Sequence, residues 1–194
     1  MTPREIEEYR ALRATIRQRG SLRVGLFFTT LVAWAAAAIA TAALATLPVA
    51  TLLPLLLLAA GFEGMFSLHT GVERIGRYLQ VFYGDDEASP PDPTRSRAEA
   101  GSRVADWERT AMAYGQRYPG GPDPLFASYF VIATVLNFVP VLLAEPVRIE
   151  LTVVGLAHLL VVGRVLLARH ASAGQRAKDL ERFQRLKQDS QAVR

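Results

Sequence analysis

The stretch PVATLLPLLLLAAGFEGMFSLHTGVERIGRYLQVFY, residues Pro48–Tyr83, decides the fold. Its first half is apolar enough to cross a bilayer, whereas its second half keeps helical spacing but gains charged side chains. Because no break follows Leu68, we predict one long helix that leaves the membrane on the cytoplasmic side and continues into water. The predicted cytoplasmic extension covers residues 69–83.

Three further apolar segments complete the predicted membrane part. Residues 24–47 carry no charge over a length that suits a hydrocarbon core of about 30 Å. A cleaved signal peptide is the alternative for this segment, but both its 23-residue head and its apolar run are too long for one. Two more spans follow, joined by a short connection. The sequence therefore predicts an all-α membrane protein whose four transmembrane helices form two antiparallel hairpins, residues 24–68 and 124–168.

Polar segments with helical periodicity flank the predicted hairpins. Residues 1–23 form an amphipathic helix that Gly20 ends or loosens, and this helix is expected to pack on other cytoplasmic helices or to lie at the headgroups. Residues 169–194 hold a separate last amphipathic helix and a tail. Between the hairpins, residues 84–123 are a proline-rich linker with a short helix at 102–118.

The distribution of positive charge predicts the orientation. Residues 1–23 carry six Arg, and residues 169–194 carry five Arg and two Lys. By contrast, the turn at 46–51 has no charge and residues 144–150 have a single Arg. By the positive-inside rule, both termini and the 84–123 segment are cytoplasmic. We expect an integral, multi-pass protein of the bacterial cytoplasmic membrane.

Composition and motifs exclude several functional classes. The 194 residues include no cysteine, which removes disulfides, thiol catalysis and thiolate metal ligands. The net charge of +4 arises beside apolar segments, where helix orientation is the common cause, so no nucleic-acid partner is predicted. No phosphate-binding loop, metalloprotease motif or serine-hydrolase motif is present. We therefore favour a protein that is not an enzyme and has no cofactor.

Ionisable groups inside spans are costly and therefore mark candidate sites. Counted from the outer ends of the second and fourth spans, Glu63 lies about 22 Å deep and Arg164 about 20 Å deep. Their similar depths predict an intramembrane pair near the inner boundary. Such a pair either fixes the packing of the two hairpins or forms a proton or cation site.

Two other polar pairs are predicted. His158 lies near the bilayer centre, where its imidazole is expected to bond to a backbone carbonyl or to Asn137, with a proton relay as the alternative. His69 and Glu73 stand four residues apart on one helical face at the cytoplasmic boundary. They offer two ligands where tetrahedral zinc needs at least three, and His170 is the one remaining histidine. No metal site is predicted.

Two functional hypotheses follow. The first is a non-enzymatic assembly protein that is embedded in the lipid bilayer and whose cytoplasmic helices self-associate or bind a protein partner. The alanine-rich first span and the apolar stripes of the flanking helices favour it. The second is a small homo-oligomeric ion channel or proton-coupled transporter that uses Glu63, His158 and Arg164. Four spans are few to enclose a pathway, so the second hypothesis requires a homo-oligomer. The first hypothesis is preferred.

Overall fold

A computed structural model describes residues 2–44, 47–83 and 124–192. Within these ranges the chain is all helical and contains no strand. The predicted linker and its short helix lie outside the described residues. The elements are α1 (Pro3–Leu44), a 3₁₀-helix (Pro48–Thr51), α2 (Leu52–Tyr83), α3 (Pro124–Leu143) and α4 (Arg148–Ala192).

Four helical segments are long and apolar enough to cross a membrane, which indicates a membrane-embedded protein. They lie in α1, in the 3₁₀-helix together with α2, in α3, and in the first part of α4. The predicted all-α class and the four apolar helices are thus confirmed. The reason is that a helix satisfies its own backbone hydrogen bonds, so an apolar run of sufficient length is enough to specify one.

The amphipathic segments at both ends are continuous with apolar helices. Of the two alternatives predicted for Gly20, an end of the helix is wrong, because α1 passes through this residue as helix. The separate last helix predicted within residues 169–194 is also wrong, since α4 runs unbroken for 45 residues. One glycine costs a helix about 1 kcal/mol relative to alanine, which cooperative extension from both sides outweighs. At 1.5 Å per residue α4 is about 67 Å long, twice the thickness of a hydrocarbon core.

The helices α1 and α2 pack closely and in opposite directions. Thr30 of α1 contacts Gly61 of α2. A second contact joins Glu8, which lies 22 residues before Thr30, to Tyr78, which lies 17 residues after Gly61. Moving back along α1 therefore corresponds to moving forward along α2. A Cβ atom on Gly61 would overlap the Thr30 side chain. The missing side chain therefore lets the two backbones approach, as small residues do between helices in lipid.

An aromatic cluster forms the core of the apolar part. The ring of Phe130 in α3 lies 5.5 Å from that of Phe62 in α2 and 6.1 Å from that of Phe27 in α1, both edge to face. Val165 and Ala168 of α4 complete the same buried cluster. All four long helices thus contribute to one core.

Beyond the apolar segments, the start of α1 and the ends of α2 and α4 pack together. Tyr9 of α1 contacts Tyr83 of α2, with ring centroids 5.8 Å apart. Tyr78 of α2 contacts Phe183 of α4 at the same centroid distance. The first amphipathic segment therefore packs against other helices. We call this part the extension bundle; it comprises residues 3–19, 69–83 and 177–192.

Candidate functional site: three polar clusters between the helices

The first polar cluster is a two-pronged ion pair between α2 and α4. The Nε atom of Arg164 lies 2.6 Å from Oε1 of Glu63, and its Nη2 atom donates to Oε2 at 2.8 Å. The guanidinium carbon lies 5.1 Å from the ring centroid of Phe66. Two parallel bonds fix the relative orientation of the charged groups as well as their distance.

This pair lies on the surface of the helical part. The side chain of Glu63 is 48% exposed and that of Arg164 is 44% exposed. The structure therefore brings together the two residues that the sequence paired by depth. It places them on an outward face and not along an enclosed path between the helices.

The second cluster is a hydrogen-bond network centred on Asn137 of α3. Its Oδ1 atom accepts from the Trp34 indole at 3.2 Å. Its Nδ2 group donates to the Thr51 carbonyl at 2.9 Å and lies 3.1 Å from Nε2 of His158. One buried amide thus connects α1, the 3₁₀-helix, α3 and α4.

The partners of His158 determine which ring nitrogen holds the proton. Its Nδ1 atom lies 2.8 Å from the carbonyl oxygen of Val154, which can only accept. The Nδ1 atom is therefore the donor, and Nε2 accepts from Asn137. In this arrangement each named donor has an acceptor, so the neutral form of the His158 ring satisfies the hydrogen bonds of the network.

A cavity of about 230 Å³ opens beside Asn137. It lies between α1, the 3₁₀-helix and α3, near the ends of the spans that are predicted to be extracytoplasmic. Most of its wall is apolar, and its polar lining side chains are the Asn137 amide, two threonine hydroxyl groups and the Trp34 indole. Six of its lining residues are Trp34, Ala38, Thr41, Thr51, Asn137 and Pro140.

The third cluster begins where the apolar segments end. The Nη1 atom of Arg23 lies 3.1 Å from Nδ1 of His69. A guanidinium only donates, so Nδ1 accepts and the proton of a neutral His69 ring is on Nε2. That atom lies 3.5 Å from Oε1 of Glu73, the residue with which His69 was paired from the sequence.

The same cluster continues into the extension bundle. Glu73 accepts from Nη1 of Arg77 at 3.3 Å, and Nη2 of Arg77 donates to Oδ2 of Asp179 in α4 at 3.1 Å. The Arg77 and Asp179 side chains are only 9% and 6% exposed. Nε of Arg74 also lies 3.5 Å from the Asp179 carboxylate. Charged groups therefore join α2 and α4 within the extension bundle, and Arg23 connects α1 to the same cluster just outside the bundle.

Tyr78 adds a contact between α1 and α2 farther along the extension bundle. Its hydroxyl donates to Oε1 of Glu8 at 2.9 Å. Burial, and next the hydrogen bond to the Glu8 carboxylate, raise the pKa of Tyr78 to about 12. The neutral phenol is therefore the form that the folded protein favours.

Sequence reasoning missed two important members of these clusters. Asp179 lies four residues before Phe183, on the apolar stripe of the last amphipathic segment, and an acid at that position requires a buried partner. Trp34 stands in a charge-free span, where its indole N–H needs an acceptor. Both signals were present in the sequence, but neither identifies the partner.

Within the described ranges, no three histidine, cysteine or acidic side chains come close enough to hold a metal ion. The chain matches no known protein family, and comparisons with curated proteins and with solved structures give no match either.

Proposed function

We propose that this protein is a non-enzymatic membrane assembly protein. Four spans, arranged as two hairpins, hold it in the bilayer with both termini in the cytoplasm. The extension bundle is the part that self-associates or binds a protein partner. The observation that carries this proposal is the buried Arg77–Asp179 pair, which joins α2 and α4 outside their apolar segments.

A buried ion pair of this kind favours one arrangement of the helices. Removing both charges from water is costly, and their attraction offsets that cost only when the geometry is good. Glu73 and Asp179 bind two different nitrogens of the Arg77 guanidinium, while its buried Nε atom has no hydrogen-bond partner within the described part of the chain. Since α2 and α4 continue without a break from the apolar part, the extension bundle is a rigid continuation of the spans. A rigid surface suits assembly because little conformational freedom is lost on binding.

The arrangement of the helices agrees with the proposed orientation. The beginning of α1 and the ends of α2 and α4 meet in one bundle, at the same end of the molecule. The segments that carry the excess of Arg and Lys, 1–23 and 169–194, belong to α1 and α4. The positive-inside rule then places this whole end in the cytoplasm.

The test is the assembly state of the full chain in lipid nanodiscs, measured by native mass spectrometry and by cross-linking in intact membranes. We expect a stable oligomer or a defined protein complex. Leu186, an exposed apolar residue of the extension bundle, is the probe for the docking surface. Leu186→Glu should weaken the assembly, whereas Gln184→Glu, which adds the same charge nearby, should leave it intact. A monomer without a partner would overturn the proposal.

A second candidate function is proton or small-molecule transport. The cavity beside Asn137 favours it, because this amide also contacts His158 in the middle of the apolar part. Glu63 and Arg164, which the sequence-based hypothesis included, contribute less here because their side chains face outward. Flux through liposomes that contain the full chain is the test. This candidate requires a flux that Asn137→Leu and His158→Ala abolish, and it fails if neither variant changes the flux.

A further inference from the structure

We propose that a second copy of this chain packs against the outward face of α2 around Glu63, inside the membrane. This inference rests on the proposed function, and it identifies the partner and the surface through which the spans assemble. We call the surface the Glu63 face. It consists of the exposed residues Leu53, Leu56, Ala60, Glu63 and Ser67 of α2, together with Arg164 of α4.

The exposed residues of α2 have the spacing of a helix-packing seam. Their separations alternate between three and four residues from Leu53 to Ser67. This is the spacing of the two inward positions of a heptad, which keep facing a neighbouring helix along its whole length. Ala60 and Ser67 are small, and small residues let helix backbones approach in lipid, where no hydrophobic force drives the helices together.

The inner half of this face is poorly suited to contact with lipid. Ala60, Glu63 and Ser67 follow one another along it, and the ion pair at Glu63 is about half exposed. Counted from Pro48, Glu63 lies about 22 Å along its helix, within a hydrocarbon core of about 30 Å. Charged groups at such depth face protein or water in membrane proteins.

The outward face of α3 shows what a lipid-facing surface of this protein looks like. None of its exposed side chains beyond Ser128 is charged, and most of them are large and apolar over the length of the helix. They include Tyr129, Ile132, Val135, Leu136 and Val139. The two faces have comparable exposure but different chemistry. The Glu63 face is therefore the one that we expect another protein to contact.

Charge complementarity and symmetry indicate that the partner of the Glu63 face is a second copy of this chain. A two-fold axis along the membrane normal leaves the depth of every residue unchanged, so it brings Glu63 and Arg164 of two copies to the same level. Each copy presents one carboxylate and one guanidinium, and the carboxylate of one copy can face the guanidinium of the other. The bonds within a copy use Nε and Nη2 of Arg164, which leaves Nη1 to donate to the second Glu63. An anionic lipid headgroup would complement Arg164 but would repel Glu63.

The absence of cysteine from the chain permits a direct test. Leu56→Cys and Ser67→Cys place a single thiol on the Glu63 face, near the proposed two-fold axis. Val32→Cys in α1 and Ile132→Cys in α3 place a thiol at comparably exposed positions on other faces. Each full-length variant is oxidised in native membranes, and the disulfide-linked dimer is measured on a non-reducing gel. We expect dimers from the first two variants and none from the two controls.

Charge variants then test the role of the ion pair. In the Ser67→Cys background, Glu63→Arg should lower the yield of cross-linked dimer about tenfold, because like charges would meet across the axis. Adding Arg164→Glu should restore the yield, because the exchanged pair remains complementary within and between copies. Equal yields in all three backgrounds would show that the pair does not contribute to an interface and would overturn the proposal.

The remaining outcomes separate this inference from the proposed function. If a stable assembly forms in nanodiscs but neither Leu56→Cys nor Ser67→Cys gives a dimer, the Glu63 face is not the interface and the proposed function stands. Equal cross-linking of the control positions, or an anionic lipid retained by a monomer, also overturns the inference. A monomer that has no protein partner overturns both.

Discussion

Two of the arginine–carboxylate pairs that join α2 and α4, Glu63–Arg164 and Arg77–Asp179, have opposite surroundings. Glu63–Arg164 lies in the apolar part and is 48% and 44% exposed. Arg77–Asp179 lies in the extension bundle and is 9% and 6% exposed. The acid is on α2 in the first pair and on α4 in the second. The same chemistry is thus on the surface in one region and buried in the other.

The exposure of the two pairs is the reverse of what the polarity of their predicted environments would favour. The pair that would be surrounded by water is covered by protein, whereas the pair that would be surrounded by lipid is not. A covered pair holds the helices of one chain in register, since either charge alone would be costly to bury. An uncovered pair at membrane depth is instead available to a neighbouring molecule. We therefore propose different roles for the two pairs, internal stability for Arg77–Asp179 and assembly for Glu63–Arg164.

The largest expected effect comes from breaking the buried pair. Asp179→Ala leaves the Arg77 guanidinium buried with one carboxylate fewer, and we expect a loss of about 3–5 kcal/mol in the free energy of unfolding. Denaturant titration of the full chain in detergent, followed by circular dichroism, measures it. The double variant Arg77→Met/Asp179→Leu removes both charges and should recover most of this loss. A double variant as unstable as Asp179→Ala would mean that the helices depend on the charges themselves.

The next effect tests the close contact of α1 and α2 in the apolar part. Gly61→Ala places a methyl group against Thr30 and should cost about 1–3 kcal/mol, because the helices must move apart. Gly76→Ala is the matched control on the same helix, since no atom lies within 4 Å of a Cβ atom there. It should leave the stability unchanged or raise it by up to about 1 kcal/mol. Equal losses in the two variants would contradict the packing described for Gly61.

The exposed pair should contribute less to the stability of a single chain than the buried pair does. Glu63→Gln in detergent is expected to lower the free energy of unfolding by at most about 1–2 kcal/mol, because the glutamine side chain can still accept a hydrogen bond from Arg164 between the two helices. The same substitution should shift the equilibrium between dimer and monomer in nanodiscs toward the monomer. A loss in detergent as large as that of Asp179→Ala would mean that both pairs serve the internal fold, and the contrast between them would disappear.

The smallest effect concerns the pH dependence of the extension bundle. The pKa of Tyr78 is raised from 10.0 to about 12, so its neutral form contributes stability that is complete below pH 10 and is lost as the pH rises toward 12. Glu8→Gln should lower this pKa only partway toward 10.0, because burial is the larger cause. The phenolate absorbance of each protein, measured against its Tyr78→Phe counterpart, reports the pKa. An unchanged pKa in Glu8→Gln would contradict the role of the Glu8 carboxylate.

Several features follow from the sequence alone because they depend on length and local chemistry. Four apolar runs of sufficient length specify four helices, since each helix satisfies its own backbone hydrogen bonds. The similar depths of Glu63 and Arg164 follow from the constant rise of a helix, and the contact of His69 with Glu73 follows from its period. A helix end at Gly20 and a separate last amphipathic helix are wrong predictions, because a local change of composition does not end a helix that is supported on both sides.

Only the tertiary structure decided which side chain each helix presents to its neighbours. It brought Asp179 to Arg77 and Trp34 to Asn137, and it left Glu63 on an outward face although the sequence had identified its partner. The physical reason is that apolar residues lie on most sides of each span, so hydrophobicity alone does not determine the rotation of a helix about its axis. In this protein, that rotation depends on close contacts such as Thr30 against Gly61, and these contacts exist only once the helices have packed.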